Sequence, residues 1–120
     1  MSRKRILILD DDYNTLDALA LLFEHENYTI VTLSQLYSIN IIDDISLLKP
    51  DVILLDINFG EFNGMDLCLQ LKENLITASR KIILMSAGNY AAVAFDSKCD
   101  HYIQKPFLSE TLLEKVSELV

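Results

Sequence analysis

Val52-Ile53-Leu54-Leu55-Asp56 is the stretch on which the reading of this chain turns. An unbroken apolar run ends abruptly in a carboxylate. A strand with one wet face alternates apolar and polar residues, whereas a strand covered on both faces reads as continuous Val, Ile and Leu. Such strands belong to parallel sheets sandwiched between helices. Four more runs share the character: Ile6-Leu7-Ile8-Leu9, Thr29–Leu33, Lys81–Met85 and Tyr102-Ile103.

The intervals between these runs carry helical patterns. Residues 14–26, with Asn14 as the expected cap, place Leu16, Leu19, Ala20 and Phe23 on one face. Residues 64–75 space Cys68, Leu71 and Leu75 helically, and residues 90–97 read as a short helix. Residues 109–119, capped by Ser109, turn Leu112, Leu113, Val116 and Leu119 inward. Segment 34–48 is rich in β-branched Ile39, Ile41, Ile42 and Ile45, which are weak helix formers. There Asp43-Asp44 either interrupts a helix or caps a second turn. It is read as helical by elimination, because a crossover between parallel strands requires one. Five βα units result, an α/β chain with an open, doubly wound five-stranded parallel sheet and right-handed crossovers. Ligands of such sheets bind beyond the carboxyl ends of the strands, where the strand order switches.

The chain has 120 residues, 18 of them acidic and 10 basic, with a net charge of −8. Its length predicts one domain, residues 1–120. Half the residues are apolar, which argues against disorder. The acidic excess disfavours direct binding to nucleic acid or to an anionic membrane, since both demand surplus Lys and Arg. No apolar run reaches membrane-span length, and Ile6–Leu9 gives way at once to three aspartates, unlike a signal peptide. A cytoplasmic location is therefore expected. Cys68 and Cys99 lack Cys-x-x-Cys spacing and a nearby His pair, and read as buried free thiols.

Chemistry should lie just past the strands. Asp10-Asp11-Asp12 follows the first run, Asp56 the third, Ser86 the fourth and Lys105-Pro106 the fifth. The three aspartates carry two readings. They are either oxygen ligands for Mg²⁺, which binds through one or two carboxylates plus phosphate oxygens, or an acidic first turn of a helix. Asp56 favours the first reading, because a carboxylate ending an apolar run at the switch point should face the crevice. Ser86 alone is an ordinary turn residue, and Lys105 alone an ordinary surface lysine. Together these groups make a cradle for a phosphoryl group, with Asp56 in line as nucleophile.

The chain resembles the receiver, or response-regulator, domain of two-component signalling over essentially its whole length. The resemblance rests on Ile6-Leu7-Ile8-Leu9-Asp10-Asp11-Asp12, Pro50-Asp51-Val52-Ile53-Leu54-Leu55-Asp56-Ile57, Asn63-Gly64, Met85-Ser86-Ala87 and Asp100-His101-Tyr102-Ile103-Gln104-Lys105-Pro106-Phe107. It implies a flavodoxin-like (βα)5 fold with strand order 2-1-3-4-5. It implies that Asp56 accepts a phosphoryl group from a histidine kinase or histidine phosphotransfer protein. Asp10, Asp11, Asp56 and the backbone carbonyl of Asn58 would bind Mg²⁺, Asp11 directly and Asp10 largely through water. Ser86 and Lys105 would contact the phosphoryl group, a cis bond would precede Pro106, and Tyr102 would be the aromatic that changes rotamer on activation. Such a domain modifies itself and turns over no external metabolite; its downstream partner is left open.

Three departures from the family pattern stand out. Phe59-Gly60 replaces the usual Met-Pro, and the freedom of Gly60 predicts a mobile loop. The interval from Ser86 to Tyr102 is short by about three residues, roughly one helical turn, and Lys98 stands where glycine is usual. Both changes touch the usual output face and put the usual dimer mode in question. Gly88 and Asn58 occupy positions that influence phosphoryl lifetime, and a glycine at 88 predicts an open approach to Asp56. Two rival classes remain distinguishable. In an aspartyl-phosphate hydrolase Asp10 and Asp12 would supply nucleophile and acid; in a phosphorylation-independent interaction module Asp56 would be dispensable.

Overall fold

Five parallel strands form one sheet in the computed structural model, which describes residues 3–36 and 40–120. In chain order the elements are β1 (Arg5–Leu9), α1 (Tyr13–Glu24), β2 (Thr29–Leu33), α2 (Ile41–Leu48) and β3 (Val52–Asp56). A two-stranded antiparallel hairpin follows, β4 (Asn58–Phe59) and β5 (Phe62–Asn63), then α3 (Gly64–Glu73) and β6 (Lys81–Ser86). A 3-10 turn (Ala94–Ser97), β7 (His101–Gln104) and α4 (Ser109–Leu119) complete the chain. The parallel, doubly wound sheet is the one expected. Its order is β2-β1-β3-β6-β7, which is 2-1-3-4-5 with the hairpin strands set aside.

The strands are apolar throughout because both faces are covered. Along β1 the side chains alternate: Ile6 and Ile8 pack with Leu16, Leu19 and Phe23 of α1 and Leu112 and Val116 of α4. Leu7 and Leu9 pack on the opposite side with Ile45 of α2 and Leu67, Cys68 and Leu71 of α3. Every residue of β3 is buried. Each fully buried Leu or Ile contributes about 1.5–3 kcal/mol of transfer free energy, so the central strands anchor the fold. Charged groups close the end of the sheet away from the strand C-termini. The Asp51 carboxylate accepts the Arg5 N–H at 2.8 Å, and Lys72 reaches Asp100 at 2.7 Å.

Several local expectations need correction. Helix α1 starts one residue earlier and is capped by Asp12, whose Oδ1 accepts the Asn14 N–H at 2.9 Å. Ser109 does not cap α4; it is the first helical residue, and Leu108 holds the cap position without a side-chain bond. Helix α3 ends at Glu73, because Asn74 leaves helical geometry and its side chain accepts the Ile76 N–H at 2.9 Å. Leu75 therefore lies outside the helix and is exposed, not on its apolar face. The helix expected over 90–97 is a single 3-10 turn at 94–97. The helix sought in 34–48 occupies only Ile41–Leu48, and part of that segment, residues 37–39, lies outside the described residues.

Candidate functional site

The site lies where the sheet order reverses, between β1 and β3. Backbone pairing alone brings its parts together. Leu9 pairs with Leu55, Asp56 with Met85, and Ser86 with Gln104. The residues just beyond the strands, Asp10 and Lys105, are thereby delivered to the same rim. The Lys105-Pro106 peptide is cis, as the resemblance implies.

Asp10 is fully buried and Asp56 nearly so. The Lys105 ammonium bridges them, at 2.7 Å from Asp10 Oδ2 and 3.2 Å from Asp56 Oδ2. The second oxygens are satisfied by backbone: Asp10 Oδ1 accepts the Asp12 N–H at 2.9 Å, and Asp56 Oδ1 the Asn58 N–H at 3.0 Å. Burial pushes the Asp56 carboxyl above its ordinary range, against the Asn58 N–H and the Lys105 charge, which pull it down. For Lys105, burial opposes the charged form, but hydrogen bonding and charge from Asp10 and Asp56 outweigh it and raise the amine's pKa.

Asp11 completes an acidic triad. Asp10, Asp11 and Asp56 each offer a carboxylate oxygen, all within 4.8 Å of one another. Three anionic oxygens so close, with one ammonium among them, form a hard-donor set suited to Mg²⁺. Asp12 stands apart, since its oxygens serve Asn14 and the Thr15 hydroxyl at the head of α1. Ser86 is buried at the end of β6, and its Oγ accepts the Gly88 N–H at 3.0 Å. Among the described residues no hydrogen bond joins Ser86 to Asp56. Tyr102 is half-buried; its hydroxyl donates to the Gly88 carbonyl at 2.9 Å and accepts the Tyr90 N–H at 3.2 Å. It thus fastens the loop that begins at Ser86.

Three contributions to the site escaped the sequence reading. Gly60 is one: with φ at +56° it turns the β4–β5 hairpin, and its N–H donates to Asp11 Oδ2 at 3.1 Å. Proline could not adopt this left-handed turn. Gly64 is another: a Cβ there would lie 2.5 Å from the Asp56 carbonyl oxygen and 2.7 Å from Ile57 Cα. Asn63-Gly64 was visible as a motif, but this contact was not. Tyr90 is the third. A Cβ on Gly88 would meet the Tyr90 ring at 2.8 Å, so an aromatic from two residues on packs against the glycine. No local pattern signals that.

Comparison with known proteins agrees with the geometry. The family model for the response regulator receiver domain matches residues 6–117. The response regulator ArlR of Staphylococcus saprophyticus is 31% identical over 97% of this chain and 52% of its own length. The DNA-binding response regulator MtrA of Mycolicibacterium paratuberculosis is 26% identical, over 95% of this chain and 50% of its own. The chain spans about half the length of these relatives. Among solved structures, a CheY-like receiver domain from Methanospirillum hungatei superimposes with a TM-score of 0.82 at 27% identity, covering 98% of this chain and 93% of its own. The signal receiver domain of a Bermanella marisrubri response regulator gives 0.84 at 24%, covering 98% of each chain. No helix among the described residues is long and apolar enough to cross a membrane. A sheet that reverses its order between Asp10 and Asp56, a lysine joining the two, and a family match over nearly the whole length lead to one conclusion: this chain belongs to the response regulator receiver domain family of two-component signalling.

Proposed function

We propose that this receiver domain is a phospho-accepting switch. Asp56 takes a phosphoryl group from the phosphohistidine of a histidine kinase or histidine phosphotransfer protein in the cytoplasm, and the altered strand-end surface changes affinity for a downstream partner. An Asp56 carboxylate oxygen attacks phosphorus, the N–P bond breaks, and the imidazole leaves with the electron pair. Raised desolvation of Asp56 keeps this nucleophile poorly solvated, while the Asn58 N–H fixes its rotamer. Lys105 already sits on Asp56 and is placed to pair with a phosphoryl oxygen once the acyl phosphate forms. Ser86, one strand over, offers its hydroxyl, and Tyr102 follows the loop between them. Asp10, Asp11, Asp56 and the Asn58 carbonyl would hold Mg²⁺, which supplies neutralisation of phosphoryl charge when bound. Water later hydrolyses the acyl phosphate, so the domain resets itself and no external metabolite is consumed.

The observation that carries this reading is the Lys105 bridge to both Asp10 and Asp56 at the switch point. The hydrolase alternative needs Asp10 and Asp12 to face one substrate. Asp10 instead is buried under Lys105, and Asp12 caps α1. The interaction-module alternative leaves the buried acid, hydroxyl and ammonium set without a purpose. The test is exposure to a small acyl phosphate with Mg²⁺ followed by intact-mass analysis. Wild type should gain the mass of one phosphoryl group and Asp56→Asn none; a label located on Asp10, or retained in Asp56→Asn, refutes the assignment.

A further inference from the structure

We infer that Gly60 is a positioning residue for Asp11, acting through its backbone N–H, and that the β4–β5 hairpin thereby sets the divalent-cation affinity of the acidic triad. This rests on the reading of that triad as the Mg²⁺ site.

Within the triad Asp11 is the exception. Asp10 and Asp56 are held by burial and by Lys105, whereas Asp11 is exposed and has neither. An exposed aspartate samples several rotamers, and fixing one costs free energy that must come from binding. The structure supplies a fixed partner from 49 positions away, the Gly60 N–H at 3.1 Å. The same short hairpin also donates the Asn58 N–H to Asp56 Oδ1. One backbone segment thus orients two of the three carboxylates, and its two N–H dipoles offset part of their mutual repulsion.

The hairpin is built to hold that aim. Asn58 pairs with Asn63, and Phe59 with Phe62; the two rings stack at 6.2 Å and 25°. Phe59 is buried in the core. At its base the Gly64 N–H bonds to the Ile57 carbonyl at 2.6 Å, and the absent Cβ of Gly64 lets the segment lie against the backbone of Asp56. Only the turn residue needs a left-handed φ, +56°, and that φ points its N–H at Asp11. Proline could supply neither the angle nor the donor. Any other L-residue keeps the donor but strains at that angle.

Groups that hydrogen-bond a metal-ligating carboxylate alter affinity by about 10–100-fold when removed. The experiment is Mg²⁺ titration by calorimetry of wild type, Gly60→Ala and Gly60→Pro, with thermal midpoints measured in chelator. Gly60→Pro should bind about tenfold more weakly. Gly60→Ala, which retains the N–H, should stay within about fivefold of wild type. Binding by a folded Gly60→Pro within about twofold of wild type, or equal loss in both variants, overturns the inference. Amide exchange gives a readout that needs neither the proline variant nor metal. The Gly60 amide should exchange about tenfold faster in Asp11→Ala than in wild type, and an unchanged rate overturns the inference. Absence of Mg²⁺ uptake by wild type overturns the metal reading and this inference together; uptake by wild type with an unaffected Gly60→Pro overturns this inference alone.

Discussion

Replacing Asp56 with asparagine should make the metal-free domain more stable at pH 7, although it removes the proposed acceptor. Asp56 is almost completely buried, and burial is the leading influence on its carboxyl, raising its pKa in the folded state. A carboxyl whose folded pKa is raised contributes most to stability below its unfolded value, about 3.9. That contribution is lost as pH rises through the folded pKa, so at pH 7 ionised Asp56 burdens the fold. Asparagine has the same shape, and its oxygen can keep the Asn58 N–H bond of 3.0 Å. Lys105 keeps its shorter bond, 2.7 Å to Asp10 against 3.2 Å to Asp56, and an acid–acid repulsion disappears. Loss of the longer Lys105 attraction offsets part of the gain, leaving stabilisation on the order of 1 kcal/mol. Urea unfolding in chelator at pH 7, repeated near pH 4, measures it; the advantage should shrink at the lower pH as wild-type Asp56 protonates, and Mg²⁺ should favour wild type over the variant. An Asp56→Asn domain less stable than wild type at pH 7 in chelator would refute the claim that burial outweighs Lys105 at this carboxylate.

Lys105→Met leaves Asp10 buried without its cation and should cost about 3–5 kcal/mol at pH 7 by urea unfolding. Lys105's folded pKa is raised, so its stabilisation is full below the unfolded value of about 10.4 and is lost as pH rises through the folded one. Gly64→Ala drives a Cβ into the Asp56 carbonyl at 2.5 Å and should destabilise by about 2–3 kcal/mol or more, with lost phosphoryl uptake by intact mass. Lys98 carries φ +66° beyond the 3-10 turn, so Lys98→Gly should stabilise by about 1 kcal/mol in the same urea assay. Burial pushes the Cys68 thiol up to about 11, so iodoacetamide at pH 8 should leave it unmodified until the domain unfolds. The stability linked to that thiol should be full below about 8.5 and decline as pH rises toward about 11.

What the sequence made legible is whatever follows from period and position. An apolar run such as Val52–Leu55 has one structural home in a chain of this length, and the parallel sheet follows from five of them. The register of that sheet then determines that Asp56, Asp10 and Lys105 meet. Caps were less legible, because Asp12 and Asn14 are equally good cap residues two positions apart and only backbone geometry chooses between them. Leu75 failed for a related reason: helical spacing predicts a face but not that Asn74 ends the helix first. The contributions of Gly60, Gly64 and Tyr90 depend on through-space approach, a left-handed turn, a missing Cβ and a ring over a glycine. None of these leaves a periodic signal.

The segment between β6 and β7, where a 3-10 turn stands in place of the expected helix, shows which parts of the site depend on which parts of the fold. Lys105 reaches the acids because β7 pairs with β6 from Ile83 and His101 to Ser86 and Gln104. Backbone bonds bracket that pairing, the Asp100 N–H to the Ile82 carbonyl at 2.9 Å and the Lys105 N–H to the Ser86 carbonyl at 2.8 Å. The chain from 87 to 100 contributes to none of these sheet contacts before its last residue. A full helix there or a single 3-10 turn therefore leaves the Lys105 bridge unchanged. On this segment Val93, just before the turn, and Phe95 within it are exposed, while Ala94 packs with Leu67, Cys68 and Leu71 of α3 and Cys68 Sγ donates to the Ser97 carbonyl at 3.5 Å. Tyr102 is the physical link between the two regions, since its hydroxyl is bound to the loop at Gly88 and Tyr90, and Gly88 in turn is bound to Ser86 Oγ. A rearrangement at Ser86 would have a hydrogen-bonded route through Gly88 to Tyr90 and Tyr102, whereas the Lys105 bridge rests on the pairing of the sheet alone.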